Sequence, residues 1–370
     1  MNEPKGREPP ELHRGPATVS PHRSGNLRPA ARPRWDHQGP PESRFSSDGY
    51  AMSTMKEYSR QFLARQAPDL LTHLYRWSRA NRFRGERRIN TREFIEMQYR
   101  ARTGRELQVD EPRGLSEKLN ALKLMPATAL QTICADKIKV RDYVAERVGP
   151  DILIPAILST YRLRDITPEN IREEAFVLKT NHDFGGVVIC RDRDTFDWDA
   201  ARAKLADHLA FNHWYRHREP VYRDIRPGVL VEAFLEPDSA DGLREYKIFC
   251  FHGRPHFIMV IREKDGLRSK TVFDTDWQPL PVRRRGAPAE ADGLEPPQSL
   301  RSLLDIATEL AAPFAFSRVD LYENFGRIRF GEITFFPEGG TDIFEPYEWE
   351  LRFGDLLRLP GEQPRKGTHA

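Results

Sequence analysis

The sequence predicts an α+β fold built as two lobes, and three observations lead there. The hydrophobic period is helical up to about residue 150 and strand-like in most segments after it. Two later segments read as hairpins around short turns, His252-Gly253-Arg254-Pro255 and Asn324-Phe325-Gly326. Helices and mostly antiparallel hairpins in this order argue against a doubly wound parallel sheet.

Composition sets the outer bounds. A chain of 370 residues suffices for two or three domains, or for one large two-lobed domain. Hydrophobic content of 39% and charged content of 31% suit a soluble globule. A net charge of +3 gives no whole-protein case for nucleic acid, and none is expected as a partner. No run of 18 apolar residues marks a membrane span, and no signal peptide is visible. A cytoplasmic location is expected, with the inner face of the membrane as a variant. Cys134, Cys190 and Cys250 are far apart and in apolar company, which predicts free core thiols.

The elements follow in order. Residues 1–54 are rich in Pro, Arg, Gly and Ser and are expected to be disordered, as are 361–370. Residues 55–114 read as a helical N-terminal region with a break near Pro68. Its basic face suits a peripheral membrane contact or, more simply, a solvated surface packed on the next unit. "GLSEKLNALKLM" reads as a helix with Ser116 as N-cap, and "ADKIKVRDYVAERVG" as another, stopped by Gly149 and Pro150. "ILIPAILSTY", "AFVLKTNH", "VVICRD" and "GVLVEAFLE" read as strands, and 198–217 as one helix. The hairpins, a strand in "SKTVFDTDW", a loop over 283–297, a helix in "LRSLLDIATELAA" and a closing helix in "EPYEWELRFGDLLRL" complete the chain.

Chemistry concentrates in four places. In the hairpin 317–336, Asp320 lies on one strand, and Glu332 and Thr334 share a face of the other. Two carboxylates held this close call for a cation, and hard oxygens on rigid strands suit magnesium. Arg318 shares the face of Asp320; it is either a clamp for phosphate charge or a structural ion pair with Asp320 or Glu332. In "FVLKTNHDFGGVVICRD", Lys179 needs a partner inside an apolar strand, and Gly185 and Gly186 let backbone amides approach an anion. In "GVLVEAFLEP", Glu232 beside Phe234 and Leu235 suits a purine. In "REYKIFCF", Glu245 and Lys247 share one strand face, and Glu245 can accept from ribose hydroxyls.

The segments "KTNHDFGG", "VEAFL", "EYKIFCFHG", "RVDLY" and "GEITFFPEGG", with Lys137 in "DK" ahead of them, occur in an order that resembles the TupA-like ATP-grasp family. That family is linked to teichuronopeptide and other surface-polysaccharide synthesis. The resemblance implies an ATP-grasp fold with one lobe over 115–235, carrying a phosphate-binding turn, and a second over 236–360, carrying a metal site. It implies ATP and Mg2+ as cofactors. Lys137 and Lys179 would hold phosphates, and the turn with Asn181, His182, Gly185 and Gly186 would cover them, His182 either contacting phosphate or capping the turn. Glu232 and Phe234 would take adenine and Glu245 ribose. Asp320, Glu332 and Thr334 would hold the metal, with Arg318 and Lys247 as catalytic residues. Ligase members usually carry Asn where Thr334 stands.

The implied reaction is ligation of a carboxylate to an amine through an acylphosphate, on a small-molecule or polysaccharide acceptor such as an acidic sugar. A phosphotransferase on a sugar unit and a non-catalytic ATP-binding adaptor are the alternatives. Arg141 and the arginines at 283–285 are candidates for reading an acidic sugar, the latter more simply a solvated basic face.

Overall fold

The computed structural model describes Glu57 and residues 59–82, 88–237, 243–264, 267–285 and 294–362. Contacts divide the chain into Met1–Ala51 and Met52–Ala370, and every described residue lies in the second unit. The expectations for 1–54, for most of 361–370 and for the centre of the 283–297 loop fall outside the described residues.

The first sheet comprises β1 (Ala156–Thr160), β2 (Phe176–Thr180), β3 (Val187–Cys190) and β4 (Val229–Ala233). Its order is β1-β4-β2-β3 and every pairing is antiparallel. Along β2 the pattern of two is visible: Phe176, Leu178 and Thr180 are buried, while Val177 and Lys179 are half-buried. The helix Trp198–Leu209 covers the buried face with Ala201, Leu205, Ala206 and Leu209, and Asp197 caps it by accepting from Ala200 N–H. The helix Pro68–Arg82 packs outside it through Leu71. Pro68 stands at its first position, where a missing N–H costs no hydrogen bond.

Two local expectations change. The helix foreseen over 198–217 is two helices, Trp198–Leu209 and Trp214–His217. Asn212 separates them, because its side-chain oxygen accepts from Trp214 N–H and competes with the helical ladder. Ser116 is not an N-cap: the helix Leu115–Leu122 begins after Gly114, whose N–H is taken by Glu117. Ser116 lies in the first turn, its N–H donated to the buried Glu350 at 2.6 Å.

Seven further strands follow: β5 (Arg244–Phe251), β6 (Arg254–Lys264), β7 (Leu267–Asp274), β8 (Arg283–Arg284), β9 (Phe316–Asn324), β10 (Arg327–Thr334) and β11 (Phe344–Glu345). Five of them form an antiparallel sheet in the order β10-β9-β5-β6-β7, and β8 pairs with β11. The two foreseen turns close it with two central residues each, His252-Gly253 and Phe325-Gly326, all at positive φ. That geometry matches the twist of a hairpin, and glycine meets it without strain.

The two faces of this larger sheet divide structure from chemistry. On one face the helix Leu300–Ala311 lays Leu303, Ala307 and Leu310 over Ile248, Cys250, Val319 and Leu321, all fully buried. Each such leucine contributes about 1.5–3 kcal/mol by leaving water. The other face carries Glu245, Lys247, Arg318, Asp320, Glu332 and Thr334, by the strand register. The three cysteines are free and buried. Among the described residues no helix is long and apolar enough to cross a membrane.

Candidate functional site

The register of the larger sheet builds the polar face. Lys247 on β5 stands opposite Asp320 on β9, which stands opposite Glu332 on β10; Arg318 stands opposite Thr334. Simple alternation would put Glu332 on the same face as Phe330, which lies in the core opposite Leu321. A β-bulge between Phe330 and Glu332 prevents this. The extra residue is Gly331, where a Cβ would meet the Asp320 carbonyl and the Tyr322 ring at 3.0 Å. One glycine thereby turns Glu332 and Thr334 from the core to the polar face.

The charges on that face form one network. Asp320 is fully buried, accepting from Arg318 Nε at 2.7 Å and Nη2 at 2.8 Å, and from Lys247 Nζ. Lys247 also meets Glu245 at 2.8 Å. Arg318 Nη2 extends to Glu332 Oε1 at 3.3 Å and to Thr334 Oγ1 at 3.2 Å, and the Thr334 hydroxyl donates to Glu332 Oε1 at 3.0 Å. Lys137 reaches in from a different segment, with Nζ 3.9 Å from Glu332 Oε2. Burial would raise the Glu332 carboxyl, but Lys137 first, then Arg318 and Lys247, hold it down at about 2. Against burial, Asp320 and Glu332 hold the Arg318 guanidinium above its ordinary value. Arg318 therefore forms the structural ion pair with Asp320 and Glu332 that the sequence offered as one alternative.

The hard oxygens of Asp320 and Glu332 suit magnesium in type. Both Asp320 oxygens are engaged by cations, so Glu332 Oε2 is the one that faces a cation at no closer than 3.9 Å. Among the described residues no group of three His, Cys, Asp or Glu converges as a ready metal site. Magnesium is compatible with such a site, because it usually takes one or two carboxylates and completes its shell with water and phosphate oxygens.

The glycine turn is pinned to the same place. Lys137 Nζ donates to the Asp183 carbonyl at 2.6 Å, and Lys137 N–H to the Asn181 carbonyl at 3.0 Å. Asn181 and His182, expected at the ligand face of the turn, point inward. Asn181 donates to Asp136 and to the Arg226 carbonyl and accepts from Gly228 N–H. His182 lies with Nε2 3.0 Å from the Phe211 carbonyl. The Asp183 carboxylate bonds the Thr180 hydroxyl and lies 2.5 Å from His208 Nδ1. Gly185 has φ +86°, and a Cβ on Gly186 would overlap the Thr180 hydroxyl. Beside the exposed Phe184, the tip of the turn presents the backbone of Gly185 and Gly186.

Lys179 and Glu232 pair with each other across neighbouring strands. Glu232 accepts from Lys179 Nζ at 2.7 Å and from Arg141 Nη1 at 2.9 Å, and Arg141 Nη2 donates to the Ile154 carbonyl at 2.8 Å. Arg141 is thus an anchor for a buried carboxylate, not an open reader of an acidic sugar. Phe234 is half-buried, with the Arg191 guanidinium 4.8 Å from its ring centre. The 283–285 run is solvated at Arg283 and Arg285, which are exposed and flank Glu345, whereas Arg284 between them is buried and paired with Asp342.

Other polar groups at the site carry no sequence signal. Glu219 is buried near Lys123, and burial pushes Glu219 up and Lys123 down. Lys123 donates to the Gly339 carbonyl, and Asn120 to the Gly340 carbonyl at 2.5 Å, fixing the segment after β10. Asp183 lay inside a quoted motif, three residues from Thr180, a spacing that signals a side-chain-bonded turn.

Two antiparallel sheets, a glycine turn over a lysine, and acid–base rows on facing strands define an ATP-grasp protein. A model of TupA-like ATP-grasp proteins matches residues 117–358, and the chain belongs to that family. Among solved structures, D-alanine–D-alanine ligase from Bacillus anthracis is similar at 17% identity over 58% of this chain and 63% of that one, with a TM-score of 0.35. N5-carboxyaminoimidazole synthetase from Staphylococcus aureus is similar at 11% identity over 55% and 44%, with a TM-score of 0.32. The ATP-grasp ligase PsnB with its minimal precursor is similar at 8% identity over 62% and 61%, with a TM-score of 0.37. This chain thus spans less than two thirds of the length of each. No curated protein matches.

Proposed function

We propose that the protein is an ATP- and magnesium-dependent ligase that joins a carboxylate to an amine through an acylphosphate, in the synthesis of a cell-surface polysaccharide or a teichuronopeptide-type polymer. The observation that supports this best is the meeting of Lys137 with Glu332, which joins the glycine-turn segment to the Lys247–Asp320–Arg318 network at 3.9 Å.

Lys137 and Lys179 would hold phosphate oxygens of ATP, and the amides at Gly185 and Gly186 would close over them. Glu245 would accept from ribose, and Phe234 would lie near adenine. Glu232 serves Lys179 by holding its ammonium in place. Glu332, with Asp320 behind it and the Thr334 hydroxyl beside it, would hold Mg2+. When bound, that ion supplies charge neutralisation at the phosphates.

The acceptor carboxylate oxygen attacks the γ-phosphorus, the bond to the bridging oxygen breaks, and ADP leaves. An amine then attacks the acyl carbon, loses a proton and displaces phosphate, giving an amide. Arg318, fixed by two bonds to Asp320, stands beside Glu332 where charge develops. Catalysis of this kind rests on position and electrostatics and needs no covalent enzyme nucleophile.

The test is a matrix of uronic acids and amino acids incubated with the full chain and ATP·Mg. ADP and free phosphate appearing together for one acid–amine pair is the expected result. ADP with phosphate retained on the acceptor would make the protein a phosphotransferase and overturn the ligase reading.

A further inference from the structure

The helix Pro68–Arg82 turns one side to the protein and the opposite side to solvent. Leu71 and the half-buried Tyr75 pack it onto the helix Trp198–Leu209, and Arg79 fixes it there by donating to both oxygens of Asp207. Facing away from that contact, Leu70, Leu74 and Trp77 are 51%, 46% and 71% exposed. Their spacing of four and then three residues sets them on one stripe along the helix. Single exposed leucines are ordinary, but two leucines and a tryptophan in line form an apolar patch that marks an interaction surface.

The charge around the stripe names the partner. Residues 55–90 hold nine lysines and arginines against three acids, a net +6, in a chain whose whole net charge is +3. The positive charge of the protein is therefore gathered on the segment that carries the stripe. Arg65, just ahead of the helix, and Arg76, next to Trp77, are exposed, and among the described residues neither meets a carboxylate. The single acid of the helix, Asp69, is already engaged: it accepts from Leu163 N–H at 3.0 Å and lies 3.7 Å from Arg164 Nε.

These charges disfavour the other occupants. A second copy of the chain would set this cationic segment against itself across a two-fold axis. Residues 1–51 would add eight basic residues against six acids, with Leu12, Val19 and Leu27 as their only branched apolar side chains. A bilayer surface of anionic lipid answers both features, because its headgroups attract arginine and its interface takes up leucine and tryptophan.

We propose that the outward face of Pro68–Arg82 docks the protein on an anionic lipid surface, with Leu70, Leu74 and Trp77 entering the interface and Arg65 and Arg76 on headgroup phosphates. At 15 residues the helix is too short to cross a bilayer and lies along its surface. None of these five residues belongs to the Lys137–Glu332 network, so docking and nucleotide binding are separable by substitution.

The test is co-sedimentation of the full chain with vesicles of phosphatidylcholine alone and of phosphatidylcholine mixed with phosphatidylglycerol. The wild type is expected to partition at least about tenfold more strongly onto the mixed vesicles, one decade of affinity. A Leu70→Ser, Leu74→Ser double variant should lose at least about tenfold of that partition. An Arg65→Gln, Arg76→Gln double variant should lose a similar factor and respond less to salt, since each cation near an anionic surface contributes about fivefold. Trp77→Leu should still bind but show less quenching of tryptophan fluorescence by brominated lipid. All variants should melt near the wild type and bind ATP·Mg as it does. No partition onto the mixed vesicles, equal partition onto both kinds, or unchanged partition of the leucine double variant overturns the inference. Dimerisation that the leucine double variant abolishes, without vesicle binding, would assign the face to a second copy and also overturn it. Lipid binding is read without any acid or amine present, so its outcome is independent of the ligase assay.

Discussion

Replacing Lys247 with methionine keeps most of the side-chain volume and deletes one charge from the network. Asp320, fully buried, retains both bonds to Arg318, while Glu245 loses its ammonium partner at 2.8 Å. Removing one partner of a buried ion pair costs about 3–5 kcal/mol. Because the bidentate arginine survives, the lower end, about 3 kcal/mol, is expected. For a unit of about 300 residues, 1 kcal/mol moves Tm by roughly 1.5 °C, so a fall of about 5 °C follows. The assay is thermal unfolding at pH 7 without nucleotide, followed by circular dichroism. A Lys247→Met, Asp320→Asn double variant should lose less than the sum of the two single losses, since neighbours in one network do not add. A fall below about 2 °C for Lys247→Met, or strictly additive losses, would refute the view that Lys247 balances Asp320.

Three further outcomes are expected. Gly186→Ala places a methyl against the Thr180 hydroxyl and should break its bond to Asp183, lowering ATP affinity with smaller effect on Tm; calorimetric titration of ATP·Mg checks this. Arg141→Met leaves Glu232 with Lys179 alone and should cost stability, about 3 kcal/mol, without changing the acid KM; a raised KM at constant stability would make Arg141 a substrate reader. Asp183 is held at about 2, below its ordinary 3.8, because against the upward push of burial His208, His182 and Lys137 together favour its charged form. Its contribution to stability is therefore present above pH 3.8 and lost as pH falls from 3.8 towards 2. The Tm gap between wild type and Asp183→Asn should close over that window, and a constant gap would refute the assignment.

Features set by neighbouring residues were legible in the sequence. The hairpin turns were, because Gly253 and Gly326 mark positive-φ positions between strand-like runs. The shared face of Glu332 and Thr334 was legible because the bulge at Gly331 precedes both; counted from Phe330, the same alternation would have buried them. What escaped depends on contacts distant in sequence. Glu232 reads as an acid beside an apolar shelf until Arg141 is folded against it at 2.9 Å. Asn181 and His182 read as lid residues, but their partners at Asp136, Arg226, Gly228 and Phe211 come from other segments. Ser116 resembled a cap by local chemistry, and Glu350, 234 residues away, claims its N–H.

The central claim is that charges from both sheets and from the Lys137 segment surround one magnesium-bound adenine nucleotide. Calorimetric titration of ATP into the wild type and Glu332→Gln, each with and without Mg2+, tests it most directly. Binding that needs Mg2+ in the wild type, and weakens by at least about tenfold in the variant, is the predicted result. Wild-type binding indifferent to Mg2+, or undiminished binding by Glu332→Gln, would contradict it.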